Sequence, residues 1–268
     1  MAKTILITGS TDGIGLATAK SLVELGHTIL LHGRSDEKLS DAKQQLSLIN
    51  EKANIETFNA DLSNFYEVRK LASEVGEKHA KIDVLINNAG VFVVPKKITA
   101  DGIDIRFMVN TIAPYLLTKN LLPSLSDDGR VVNLSSAAQS PVSPDEIAKP
   151  SPFSDDQVYA KSKLALTMWS RQMALSLGGK GPVIVAVNPA SFLGSKMVSE
   201  AYGRQGKSLQ IGADILVRAA LSDDFSEASG QYFDNDIGQF SAPHPDAVNP
   251  EKIAEMTQAI DTVLTNFQ

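Results

Sequence analysis

Short, nearly continuous aliphatic runs alternate with longer amphipathic segments along most of this chain, and few folds accommodate that order. Strand candidates fall at 4–8, 27–32, 55–59, 83–87, 129–135 and 182–188, several of them nearly continuous in Val, Ile and Leu, and a seventh lies near 230–233. Strands this uniformly apolar are covered on both faces, as parallel strands are. Between them, apolar residues recur with helical spacing at 14–25, 36–50, 66–79, 105–122 and 157–177, and Pro250 opens a last helix. The alternation predicts an α/β domain: a doubly wound, mostly parallel seven-stranded sheet with right-handed crossovers, flanked by helices. Neither a repeat nor a linker divides the 268 residues, so 1–268 reads as one domain. Two segments interrupt the pattern: 139–156, rich in Pro and Ser, and 189–210. Both follow predicted strands and are expected to form the rim and substrate loops at the carboxyl edge of the sheet, where open sheets bind ligands.

Composition removes several classes of function. The chain has no cysteine, which excludes a disulfide framework, a thiolate nucleophile and a Cys-bound metal. A reducing compartment, the cytoplasm, is the expected location. The four histidines form no ligand cluster, and no metal site is expected. A formal charge of -6 argues against nucleic acid as a partner. The first apolar run is interrupted at once by Gly9, too early for a signal peptide, and no membrane span is expected because no segment approaches roughly eighteen uninterrupted apolar residues.

The first run leads through Thr8-Gly9-Ser10-Thr11-Asp12-Gly13-Ile14-Gly15 into a helix. Glycines permit a tight turn and close backbone approach, and N–H groups at a helix start attract a pyrophosphate. The spacing departs from G-x-G-x-x-G, and a packing role for the loop is the alternative. The second run ends His32-Gly33-Arg34-Ser35. An acid there would hold the adenosine ribose of NAD and repel a phosphate, whereas Arg34 offers a guanidinium fork for phosphate oxygens. NADP(H) is therefore favoured, with NAD(H) the alternative because Asp36 and Glu37 follow closely; Arg34 and Lys38 as solvated helix-start residues is the plainer reading. Asp61-Leu62, after the third run, can hold an adenine edge. Asn87-Asn88-Ala89-Gly90 closes the fourth run, where small residues admit a ligand, and Asn87 serves either the neighbouring strands or the cofactor.

Tyr159-Ala160-Lys161-Ser162-Lys163 puts a phenol and an ammonium four residues apart, on one face of one helix. Either alone is an ordinary surface residue. Downstream of a dinucleotide-type turn, the pair reads as a proton donor with its electrostatic activator. Hydride delivery to a carbonyl leaves negative charge on oxygen, which calls for a donor within hydrogen-bonding reach. A free Tyr has a pKa of about 10, and a nearby ammonium eases its ionisation.

Taken together, Thr8 through Gly15, Asp61, Asn87 through Gly90, Asn110, Ser135-Ser136, Tyr159 with Lys163, and Asn188-Pro189 resemble the short-chain dehydrogenase/reductase family. The resemblance runs from the amino terminus to residue 195 and looks closest to the retinol-dehydrogenase-like and carbonyl-reductase branch. It implies a Rossmann fold and a nicotinamide cofactor held by Gly9, Thr11, Asp12, Gly13, Ile14, Gly15, Arg34, Asp61, Leu62, Asn88, Ala89, Gly90, Tyr159, Lys163, Pro189 and Ser195. It implies a catalytic set in which Tyr159 is the general acid/base, Lys163 grips the nicotinamide ribose, Ser136 polarises the carbonyl and Asn110 supports a water-linked proton path from Lys163. It also implies a homodimer or homotetramer. The interval from Ser136 to Tyr159 is longer than usual, which a loop tolerates at modest entropic cost, and Pro189-Ala190 stands where Pro-Gly is commoner. Phe92, Val93, Val94, Phe153, Phe192, Met197 and Tyr202 are candidates to line an apolar substrate pocket, with packing beneath loops the alternative. The expected function is an NADP(H)-preferring interconversion of a ketone or aldehyde, apolar in part, and its alcohol. A cofactor-binding regulator without turnover, or an isomerase, dehydratase or epimerase, is the alternative.

Overall fold

The computed structural model describes residues 1–196, 199, 203 and 206–267. Among these, eight strands form one sheet: β1 (Thr4–Ile7), β2 (Thr28–Gly33), β3 (Ile55–Asn59), β4 (Ile82–Asn87), β5 (Leu125–Leu134), β6 (Val183–Asn188), β7 (Tyr232–Asp234) and β8 (Gln239–Ser241). Their order is β3-β2-β1-β4-β5-β6-β7-β8, with β1 through β7 paired in parallel and β8 antiparallel to β7. The chain leaves β1 for β2 on one side and later returns to β4 on the other. That reversal opens a crevice at the carboxyl ends of β1 and β4.

Helices cover both faces, which is why the buried stretches of β1, β2, β4 and β6 are mostly aliphatic. On one face α1 (Gly13–Glu24), α2 (Asp36–Ile49) and α7 (Leu209–Leu221) bury Leu22, Val23, Leu39, Leu46 and Leu216 against Ile5, Ile29 and Val185. On the other, α3 (Phe65–Lys78), α5 (Ala113–Leu121), α6 (Asp155–Leu177) and α8 (Pro250–Asn266) enclose a larger core centred on Phe107, Trp169 and Ile260. Helix α6 is well delimited. Ser154 and Gln157 form a reciprocal capping box at its start, and Gly178 ends it in the left-handed conformation at φ 57.

Three elements differ from the sequence expectation. The sheet has eight strands, not seven, because β8 follows β7 through a tight reversal and carries a single large apolar residue, Phe240, packed on Phe225 and Phe233. Helix α7 is hidden in the sequence by Gly212. A side chain there would lie 2.6 Å from Leu193, so glycine serves close packing onto Leu193 and Ile14 of α1. The stretch 105–122 is not one regular helix. A short α4 (Ile105–Phe107) passes through a π-helical turn (Met108–Ile112) before α5, whose Pro114 lacks an N–H.

Candidate active site

The glycine turn owes its shape to contacts with the neighbouring strand. Gly9 has φ 63, and a Cβ there would stand 2.9 Å from Ala89 Cα. A Cβ on Gly15 would lie 2.4 Å from both Asn88 Nδ2 and the Gly9 carbonyl. Asn88 Nδ2 donates to the Thr8 and Gly9 carbonyls at 2.9 Å, and Ala89 N–H donates to Thr8 Oγ1. Asp12 caps α1 by accepting from Gly13 N–H at 2.7 Å.

His32, which the sequence reading left without a role, closes the other side of this turn. Its Nδ1 accepts from Gly9 N–H at 3.1 Å, so Nε2 carries the proton and donates to the Ala60 carbonyl at 3.1 Å. Burial pushes its pKa down to about 4, partly opposed by the hydrogen bond to Ala60, and the ring is neutral around pH 7. A polar side chain ending an otherwise aliphatic strand is the signal that marks it.

A cleft of about 320 Å³ runs along the carboxyl edge from Arg34 to Tyr159. Gly9, Thr11, Asp12, Gly13, Ile14, Arg34, Asp61, Leu62, Asn88, Ala89, Gly90, Tyr159, Lys163, Pro189 and Ser195 line it. Gly15, Asn110 and Ser136 do not. Gly15 acts by letting Asn88 approach. Asn110, in the π-helical turn, donates to the Val91 carbonyl and Ser162 Oγ and accepts from Val91 N–H at 2.8 Å, tying the segment after β4 to α6. Asn87 also stays out of the cleft, donating to Asn133 Oδ1 and Thr118 Oγ1 between strand and helix.

At the inner end, α6 presents Tyr159 and Lys163. Lys163 is buried, its Nζ 5.7 Å from the centre of the Tyr159 ring and donating to the Leu134 carbonyl at 2.7 Å. Burial lowers its pKa to about 8. Phe92 packs on the Tyr159 ring with centroids 4.7 Å apart. The two serines after β5 divide their tasks. Ser135 is buried and bonded to Thr167 Oγ1 at 2.7 Å, whereas Ser136 is half-buried, its Oγ accepting from Ala138 N–H. The Ser136 carbonyl accepts from Tyr232 Oη at 3.1 Å and Gln139 Nε2 at 3.0 Å, so Tyr232, also unforeseen, fixes this turn. Burial raises the Tyr232 pKa, keeping the phenol protonated as that donor.

Two networks hold the surrounding walls. Arg106, fully buried, donates to Asp104 and to Asp155 in the first turn of α6, and Lys97 approaches Asp155 at 2.7 Å. At the exit of β6, Ala190 (φ 116) and Phe192 (φ 57) take up conformations that disfavour a side chain. Asp236 holds this turn by accepting from Ser191 N–H and from Asn188 Nδ2. Val93, Phe153 and Phe192 are exposed near these loops, while Met197 and Tyr202 lie outside the described residues.

Comparisons with known proteins agree with this geometry. A family model described as short chain dehydrogenase matches residues 3–205. Human retinol dehydrogenase 13 is 29% identical, with 93% of this chain and 80% of that protein covered. Human polyprenol dehydrogenase is 35% identical over 68% of this chain and 57% of that protein. A short chain dehydrogenase from Shigella flexneri, crystallised with NADP, superposes with a TM-score of 0.70 at 25% identity, covering 87% of this chain and 97% of that one. The chain belongs to the short-chain dehydrogenase/reductase family of NAD(P)-dependent oxidoreductases, which act on small molecules. Within it, the similarity places the chain in the retinol-dehydrogenase-like branch. Among the described residues, no helix is long and apolar enough to cross a membrane, and no cluster of His, Asp and Glu is suited to a metal.

Proposed function

We propose that the protein is an NADP(H)-preferring oxidoreductase that interconverts a ketone or aldehyde with its alcohol. The observation that carries this reading is one continuous cleft with Arg34 at one end and the Tyr159–Lys163 pair at the other. The donor set fits a dinucleotide: the α1 start and Gly9 for a pyrophosphate, Asp61 and Leu62 for an adenine edge, and Lys163 for ribose hydroxyls. A nicotinamide bound there would supply the hydride chemistry. The chain does the rest. Tyr159 Oη delivers a proton to the substrate oxygen as negative charge develops on it, and recovers one in the reverse direction. The Lys163 ammonium favours the ionised phenol, Ser136 Oγ donates to the same oxygen, and Asn110 and Tyr232 hold the surrounding segments in place. Pro189 and Ser195 also line the cleft, Ser195 beside Gly13 of the glycine turn.

An apolar substrate is part of the reading. Val93, Phe153 and Phe192 offer exposed apolar surface, and the relatives named for retinol and polyprenol are named for apolar alcohols. So are a homodimer or homotetramer, to be read by sedimentation, and a cytoplasmic location, to be read by fractionation. Incubation of the purified protein with NADPH and a panel of apolar aldehydes and ketones is expected to consume the cofactor with formation of alcohol. Cofactor binding without turnover across the panel would overturn the assignment.

Arg34 decides the cofactor preference. Replacing it with Ala removes a charge-assisted pair to a ribose phosphate and is expected to raise the Kd for NADPH about 10- to 100-fold. The Kd for NADH should change little. Equal changes in the two titrations would remove the basis for an NADP(H) preference.

A further inference from the structure

Lys161 stands between Tyr159 and Lys163 in sequence, yet it faces neither cofactor nor solvent. It is 9% exposed and does not line the cleft. Its ammonium meets the segment 139–154 at three points. It donates to the Pro141 carbonyl at 2.7 Å, pairs with the Glu146 carboxylate at 3.0 Å, and stands 4.5 Å from the centre of the Phe153 ring. These contacts fall near the beginning, the middle and the end of the segment. Glu146 is itself committed, accepting from Ser143 N–H in the turn Pro144–Glu146, and Ile147 beside it is buried in the core.

The ends of the segment lie at the chemistry. At its root, Gln139 donates to the Ser136 carbonyl and accepts from His244 N–H. At its far end, Ser154 caps α6 one turn before Tyr159. The segment therefore spans the interval between Ser136 and Tyr159, and three contacts spread along it converge on one cation. A buried ammonium is costly unless it is hydrogen-bonded and paired, and here each of its partners belongs to the segment it holds.

We propose that Lys161 is a positioning residue for the substrate: it fixes 139–154 as the wall of the carbonyl site on the Ser136 side and thereby sets selectivity for substrate shape. This rests on the oxidoreductase reading above. Because Lys161 is absent from the cofactor cleft, its loss separates substrate recognition from cofactor binding.

The test compares Lys161→Met and Lys161→Arg with the wild-type protein. In hydrogen exchange, Lys161→Met is expected to lose protection across 140–153 while 9–15 is unchanged. In steady-state kinetics, its KM for bulky carbonyl compounds should rise about tenfold, equivalent to about 1.4 kcal/mol, and the preference between bulky and small carbonyls should narrow. The KM for NADPH should stay within about twofold, since none of the Lys161 partners lines that cleft, and Arg, which keeps the cation, should restore most of the selectivity. If Lys161→Met does not fold, Glu146→Gln removes the ion pair with little change of shape and is read in the same way. Wild-type turnover with unaltered exchange and KM in the variants overturns the Lys161 assignment alone. Absence of carbonyl turnover by the wild-type protein overturns the oxidoreductase reading and, with it, the substrate role.

Discussion

Replacement of Tyr159 by Phe is expected to lower kcat for carbonyl reduction about 10²- to 10⁴-fold, the range over which a positioned general acid acts. The Kd for NADPH should stay nearly constant. The reason is the division of labour in the cleft: the ring packs against Phe92 and survives the substitution, whereas the proton on Oη does not. The residues proposed to hold the cofactor, from Arg34 through the glycine turn, lie along the rest of the cleft. Stopped-flow reduction with saturating NADPH, together with a fluorescence titration of the cofactor, measures the two quantities separately. A variant keeping a tenth or more of the wild-type rate would move the proton to another group, with Ser136 the first alternative.

Much of the fold is legible before any coordinates because covered parallel strands leave an unmistakable record. Ile5-Leu6-Ile7 and Val183 through Val187 carry scarcely a polar atom, and both lie within the sheet. Legibility ends where a different force sets the pattern. Gly212 weakens the helical signal of α7 because the position answers to contact with Leu193 and Ile14 rather than to helix propensity. Edge strand β8 is only three residues long with Phe240 its one apolar residue, too short for alternation or apolar density to register. The cleft divides in the same way. Glycines and the Tyr159–Lys163 spacing are local and visible. The clamps are long-range: His32 reaches Gly9 and Ala60, and Tyr232 reaches Ser136 across 96 positions of sequence. Nothing adjacent in the chain announces such partners. The segment 139–156 reads as an interruption rich in Pro and Ser, while Lys161 meets it at Pro141 and Glu146, and the place of Lys161 inside the Tyr159–Lys163 motif gives it no separate signal.

Lys163→Met is expected to abolish measurable turnover and, at the same time, to make the protein more stable. The Lys163 ammonium is enclosed with the Leu134 carbonyl as its hydrogen-bond acceptor, and desolvation lowers its pKa from 10.5 to about 8. A displacement of that size corresponds to about 3 kcal/mol of folding free energy forgone when the group is charged. The sign follows from proton counts. Between pH 8 and 10.5 the unfolded chain still holds this proton while the folded protein has released it, so wild-type stability rises with pH through that window. Below it the full cost is present; above it the cost is gone. Met fills similar volume without charge but leaves the Leu134 carbonyl without its donor, so a net gain of about 1–2 kcal/mol at pH 7, or a few degrees in Tm, is expected. The advantage over wild type should shrink as pH climbs past 8 and reverse before 10.5, because wild type recovers about 3 kcal/mol across that window while the variant keeps its unpartnered carbonyl. Urea titrations of both proteins at several pH values, without cofactor, give the difference directly. A variant destabilised at pH 7, or a gap that ignores pH, would mean that this lysine is not held as a strained cation. The outcome bears on the chemistry as well, because a charged group retained at a cost to folding points to work done on the neighbouring phenol.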